Sequence, residues 1–346
     1  MVQIVDIVDV EVKVSTSAIS RQGFNSLLIL GKATSFGAGW TTSGAYQVKE
    51  YTSLTQALAD TDIVTDSPVQ KMLTAAFAQS PRVPKVYVAN GTGANVAAPS
   101  ADLTQIAKLN NSWFGLVMEH DAVAAIDDVF PWVAANKKYG FFRLAAKNAF
   151  PTATSNWSSV WYSSTSPVDY IDVAAASTIL ARTPGSYTAA FKELEGVQAT
   201  TGLTVAEETT FRSKGVNWYP EVGGRKITYN GTVYNGSTSG FIDTYIGALY
   251  LEARMEEDVF AVLVAAEKVP YTDDGINIIV NTIYGRLGTS VAEGYLAPDP
   301  APVVDAPKAR NVPATDKAAR LLQNVTFVAY TAGAIQRVMI KGTVVV

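Results

Sequence analysis

The chain has 346 residues, 48% of them hydrophobic and 17% charged, a balance that excludes a disordered protein and allows two domains or three lobes with a full core. A net charge of −4 lacks the basic excess of a nucleic-acid-binding surface, and no apolar run approaches the ~18–20 residues that cross a bilayer. There is no cysteine, hence no disulfide, thiolate nucleophile or zinc–thiolate site, and there is one histidine.

The opening Met1-Val2-Gln3-Ile4-Val5-Asp6 carries an acid where a signal peptide has Lys or Arg, which argues against export by that route. Val8, Val10, Val12 and Val14 then alternate with Asp9, Glu11, Lys13 and Ser15, the period of a strand with one buried face. A polar joint at residues 20–25 follows, so residues 1–20 read as an extended arm.

From Ser26 the pattern becomes strand–helix alternating. Strands are expected at 27–31, 85–89, 113–118, 140–144 and 158–163, and helices at 53–59, 68–78, 101–109, 122–135 and 172–181. Such alternation predicts an α/β domain over 21–183 with a mostly parallel sheet covered on both faces. The signal weakens over 184–240, where a helix is expected at 204–213 and a β-hairpin around Asn230-Gly231.

The C-terminal unit, 241–346, starts with two amphipathic helices joined by residues 268–275. Ile242, Tyr245, Ile246, Leu249 and Ala253 form one stripe; Ile276, Ile279, Val280, Ile283, Leu287 and Val291 form the other. Pro270 sets the first stop, Thr272 or Asp273 can cap the second helix, and Gly294 can close it in a left-handed conformation. The apolar surface of the pair exceeds what two facing helices cover. Residues 296–313, with five prolines, read as a surface crossing or linker, and 325–330 with 335–346 as closing strands, of which 325–340 would form a hairpin.

Sites for chemistry are poorly supported. His120-Asp121 follows an expected strand, where doubly wound sheets keep ligands, but has no cysteine partner or serine in a nucleophile-elbow context. Gly31-Lys32-Ala33-Thr34 lacks a phosphate loop's upstream glycine and its magnesium-binding hydroxyl after Lys. Gly91-Thr92-Gly93-Ala94-Asn95-Val96 lacks the third glycine of a dinucleotide fingerprint. Glu252, Glu256, Glu257 and Asp258 read as a solvated or partner-facing surface, and Asp273-Asp274-Gly275 as a helix cap rather than a calcium loop. Trp157, Trp161 and Tyr162 lack interleaved cations and suggest packing. No catalytic, cofactor or metal site is expected.

Taken together, the valine-rich arm, the run Ile19-Ser20-Arg21-Gln22-Gly23-Phe24-Asn25-Ser26-Leu27-Leu28-Ile29-Leu30-Gly31, the segment Lys268-Val269-Pro270-Tyr271-Thr272-Asp273-Asp274-Gly275-Ile276 and the closing Ala332-Gly333-Ala334-Ile335-Gln336-Arg337-Val338-Met339-Ile340-Lys341-Gly342-Thr343-Val344 resemble the tail sheath proteins of contractile bacteriophages. The resemblance rests on order and spacing in the first and last thirds. It implies a non-enzymatic virion subunit, assembled in the host cytoplasm, that polymerises with itself around a tail tube, meets baseplate and tail terminator proteins, and contracts to drive the tube through the host envelope. It further implies intersubunit strands at Val8, Val10, Val12, Val14, Val338, Ile340, Val344 and Val346. Ile242, Ile246, Leu249, Ile276, Ile283 and Leu287 would be the receiving helical surface, and Lys308, Arg310, Lys317 and Arg320 are candidates for tube contact. The alternatives are an α/β enzyme or ligand-binding protein with a site near His120, or another self-assembling virion component.

Overall fold

A computed structural model describes residues 22–40, 46–91, 98–163, 168–235 and 240–342. Val8, Val10, Val12, Val14, Val344, Val346 and the glycine pattern at 92–96 lie outside these residues.

Seven strands form the central sheet: β1 (Ser26–Gly31), β2 (Val48–Tyr51), β3 (Lys85–Asn90), β4 (Gly115–Met118), β5 (Tyr139–Leu144), β6 (Ser158–Tyr162) and β7 (Val216–Asn217). Their order is β2-β3-β1-β4-β5-β6-β7, and every neighbouring pair is parallel except β2–β3. The apolar runs follow from burial on both faces. Leu27, Ile29, Val86, Val88, Phe141 and Trp161 enter one core with α2 (Pro68–Ala78) and α5 (Ile171–Leu180). Their neighbours Leu28, Leu30, Tyr87, Ala89, Phe142, Val160 and Tyr162 enter the other with α3 (Pro99–Leu109), α4 (Val123–Ala135) and α6 (Val205–Lys214). A short helix, α1 (Leu54–Leu58), begins at Ser53, whose side chain accepts the Gln56 amide.

The hairpin forms one turn earlier than expected. Gly223-Gly224 joins β8 (Glu221–Val222) to β9 (Arg225–Lys226), whereas Tyr229 bridges Trp218 and Thr232 bridges Phe241. Asn230 and Gly231 do adopt positive φ, 71° and 66°, as a tight primed turn requires. The residues flanking this turn pair elsewhere: the Tyr229 amide donates to the Trp218 carbonyl and the Tyr234 amide to the Ser158 carbonyl of β6. Asn217 donates to the carbonyls of Val160 and Thr232 and accepts the Thr232 amide, fastening this segment to the sheet.

Beyond it run α7 (Ile242–Ala265) and α8 (Asp273–Ala292). Thr272 is the cap of α8, its side chain accepting the Gly275 amide. Gly294 takes a φ of +84°, the left-handed geometry expected at the helix end. Gly275 is needed for close approach, because a Cβ there would stand 1.8 Å from the Pro270 carbonyl oxygen. The proline-rich crossing is not a bare linker. It contributes β10 (Val303–Asp305), antiparallel to β11 (Thr326–Val328), and Tyr284 accepts the Val304 amide through its hydroxyl. A short helix, α9 (Ala314–Ala318), follows β10. The expected 325–340 hairpin is corrected accordingly: β11 pairs with β10, and 335–342 carry no regular secondary structure.

Candidate functional site: an uncovered groove on the helix pair

Two stripes run along α7, and the structure gives them different neighbours. Ile242, Ile246 and Leu249 are buried in the same core as Leu27, Trp161 and Leu180, so the chain's own α/β domain covers them. They are therefore not free to receive a strand, a correction to their expected role. The reason is that α7 belongs to both bodies: its first turns complete a sheet-facing core, and its remainder projects beyond the sheet. Ile283 and Leu287 of α8 join Leu251, Tyr295 and Leu296 in a small separate cluster, while Ile276 is buried near the helix–helix turn.

The second stripe is Leu251, Met255, Val259 and Leu263, spaced by four residues. With Ile279 and Ile283 of α8, Tyr295 and Leu296 below, and Val325, Phe327 and Ala329 opposite, it lines an apolar groove of about 920 Å³. Tyr295 can lie across α7 because Gly247 has no side chain; a Cβ there would meet its ring at 2.2 Å. Alternation along residues 325–331 turns Val325, Phe327, Ala329 and Thr331 toward the groove. Among the described residues β11 pairs with β10 alone, so its other edge carries no strand. Glu252 and Glu256 stand on the rim and pair with Lys137 at 3.1 and 3.2 Å. Sequence reasoning passed over the second stripe although Leu251, Met255 and Val259 carried the signal, because the first stripe already accounted for one buried face.

Nor is the acidic group on α7 simply solvated. Glu257 pairs with Arg254 at 2.5 Å and Asp258 with Arg286 of α8 at 2.5 Å, all four side chains largely buried. Glu252 and Glu256 remain solvent-facing, whereas Glu257 and Asp258 are held by arginines.

At the far end of the chain Ile335, Val338, Met339 and Ile340 are 71–90% exposed, an apolar segment lying outside any sheet. The four basic candidates occupy the crossing that ends in α9. Lys308, Arg310 and Arg320 are exposed and Lys317 is half-buried, and none of the four enters an ion pair with another described residue. Asp273 holds this crossing by accepting the Ala309 amide at 2.6 Å, and Tyr271 by donating to the Leu321 carbonyl at 2.9 Å. Arg320 also reaches the groove mouth.

At the carboxyl ends of the parallel strands lies a polar cluster. Glu119 fills the turn that resembles a phosphate loop: its Oε2 accepts from the Lys32 amide at 2.7 Å and the Ser35 hydroxyl at 2.8 Å. The anion position is thus occupied by a carboxylate of the chain itself. His120 is buried, with no partner for Nε2 among the described residues, and burial pushes its imidazole down to about 4. Asp121 pairs with Arg143. Asp172, in the first turn of α5 after Tyr170 at φ 49°, is fully buried without a hydrogen-bond partner among the described residues. Burial pushes its carboxyl up to about 7. Among the described residues no three His, Cys, Asp or Glu side chains are placed to hold a metal, and no helix is long and apolar enough to cross a membrane.

Residues 242–300, which contain α7 and α8, match the family model described as E217 tail sheath protein gp31-like, C-terminal domain. Curated protein sequences give no match. Among solved structures, a chain of the anti-feeding prophage baseplate superposes with a TM-score of 0.72 at 15% identity, covering 97% of this chain and 98% of that one. The anti-feeding prophage helical sheath in its contracted state gives 0.70 at 14% identity, covering 97% and 98%. The contracted PVC sheath complex of an extracellular contractile injection system gives 0.70 at 12%, covering 97% and 96%. The chain thus resembles contractile tail sheath proteins, in sequence across its helix pair and in fold across nearly its whole length.

Proposed function

We propose that this chain is the structural subunit of a contractile tail sheath. It polymerises with copies of itself into stacked rings around a tail tube, meets baseplate and tail terminator proteins at the ends, and drives the tube through the host envelope when the rings shorten and widen. The observation that carries this reading is the apolar groove of about 920 Å³ beside a strand edge that has no partner among the described residues, in a chain whose sequence alternates with the period of a strand over Val8–Val14.

An extended segment fits that groove. Val8 to Val14 spans ~20 Å as a strand, and Leu251 to Leu263 rises ~18 Å along α7. A neighbour's strand would satisfy the free amides and carbonyls of β11 while its valines cover the helix. Each buried valine contributes ~1.5–3 kcal/mol and each backbone hydrogen bond ~1 kcal/mol before ordering costs. The exposed segment containing Val338 and Ile340 would serve another copy in the same way, continued by Val344 and Val346. Folded bodies joined by such strands can change packing without separating, a transition between two packings of the same units. Lys308, Arg310, Lys317 and Arg320 are the proposed tube-facing charges, since contacts that must slip suit exposed polar pairs.

Deleting residues 2–15 from the full chain tests this. A soluble monomer with an unchanged melting temperature, unable to form the hollow cylinders of the intact protein in negative stain, is the expected result. Cylinders formed by the truncated chain would rule out donation by this arm. A lowered melting temperature with aggregation would mean instead that the strand pairs within its own subunit.

A further inference from the structure

Helix α4 ends in a turn that sends two consecutive lysines in different directions. Lys137 takes a left-handed conformation, φ 52°, and its amide donates to the Ala134 carbonyl at 3.3 Å, while the Lys138 amide donates to that of Val133 at 3.0 Å. These two bonds close the helix as a Schellman turn, with Lys137 where glycine is usual. Lys137 extends outward to Glu252 and Glu256 of α7, whereas Lys138 turns inward and is only 2% exposed.

A buried ammonium ordinarily has a carboxylate beside it. Lys138 Nζ donates instead to two neutral groups, the carbonyls of Asn111, at 3.0 Å, and Trp113, and lies 4.5 Å from the Trp113 ring centre. None of the ion pairs among the described residues includes it. Burial lowers the ammonium to about 8, so it stays mostly charged at neutral pH. An ammonium has three N–H donors, and the two carbonyls account for two of them.

Lys138 lines a polar cavity of about 410 Å³ at the amino ends of β4 and β5, with Gln22, Gly23, Asn111, Ser112 and Asn136 as further walls. The Asn111 amide and the Ser112 hydroxyl give this wall neutral hydrogen-bonding groups. The one acid in the wall, Glu257, is already engaged: Oε1 accepts the Gln22 amide at 2.7 Å and Oε2 the Arg254 guanidinium at 2.5 Å. Lys137, at the border, is engaged likewise by Glu252 and Glu256. The cavity therefore holds a buried cation without an anion of its own.

We propose that this cavity binds a carboxylate, one oxygen taking the third N–H of Lys138 and the remainder meeting Asn111 and Ser112. A single negative charge suits it better than a phosphate, because Glu257 stands in the same wall and repels a second charge. The carboxylate comes from a free small acid or from an Asp or Glu side chain of another copy.

Titration calorimetry of the full-length protein with sodium glycolate at pH 7 and constant ionic strength tests this, with ethylene glycol as the uncharged counterpart. Saturable one-to-one binding of glycolate, and none of ethylene glycol, is expected. K138M should weaken glycolate binding at least tenfold. N111D adds a fixed negative charge to an exposed part of the wall, and should weaken binding about tenfold even if K138M fails to fold. Saturating glycolate that suppresses cylinder formation would trace the natural carboxylate to a neighbouring copy, an arm that rests on the sheath reading; cylinders unaffected by it would trace the carboxylate to a free acid. No saturable glycolate binding, equal binding of ethylene glycol, or wild-type affinity in N111D and in a folded K138M protein would overturn the proposal. Lys138 would then be held by its two carbonyls and Trp113 alone.

Discussion

The α/β domain and the C-terminal helix pair have the same apolar chemistry but opposite completeness. In the first, both faces of a seven-stranded sheet are covered by helices of the same chain, down to Trp113, Trp161 and Trp218 at 2% exposure or less. In the second, Met255, Val259, Leu263 and Phe327 line an open groove, and Phe260, Val264, Val328 and Ile340 stand more than half exposed. A completed core makes a subunit stable. An incomplete one leaves apolar surface that is costly to keep in water, which on the proposed function a neighbouring copy covers.

The sharpest way to break the comparison is to charge the groove. V259D should abolish polymerisation while changing monomer stability by less than ~1 kcal/mol, because the position borders solvent in the isolated chain; sedimentation beside thermal melts measures both. The arm should show the matching strand parity. V10K should be as severe as deletion and D9K or E11K mild, since alternate residues face opposite sides.

W161A tests the other region and should behave in reverse. Truncating this buried indole, whose Nε1 donates to Ser159 at 2.9 Å, should cost ~3–5 kcal/mol and lower yield before any assembly step. A W161A chain as stable as wild type would show that the sheet core is not where the fold's stability lies.

Smaller effects come from two of the buried titratable groups, Asp172 and His120, which respond to pH in opposite senses. Asp172 has a raised folded value of about 7 against an ordinary 3.8, so its burial cost is absent at low pH. As pH rises from ~4 to ~7 the unfolded chain ionises while the folded chain stays neutral, and stability falls. D172N should therefore stabilise the protein at pH 8, by at most about 4 kcal/mol, with the gain vanishing near pH 4. His120, lowered to about 4, loses stability as pH falls from ~6.5, because the unfolded imidazole takes a proton that the folded one refuses. H120Q should remove that loss, worth up to about 2 kcal/mol at pH 5 and nothing at pH 7.5, and leave cylinder formation unchanged. Denaturant melts across pH 4–8 check both. An assembled H120Q sheath that fails to infect would revive the enzyme alternative.

Much of the chain was legible as sequence because its signals are local. Apolar runs of four to six residues marked strands buried on both faces, Thr272 supplied a side-chain cap, and Gly294 had the freedom the end of α8 required. Period and capping act within a few residues, so they survive without tertiary context. Partner choice does not. The pairing of β11 with β10, the diversion of Thr232 to Phe241, and the burial of Ile242, Ile246 and Leu249 against the sheet each depend on residues far away in the chain. The sequence determined that α7 is apolar along much of its length. Only the tertiary structure decided which stripe the chain covers itself and which it leaves open, because a helix 24 residues long outreaches the sheet that buries its first turns.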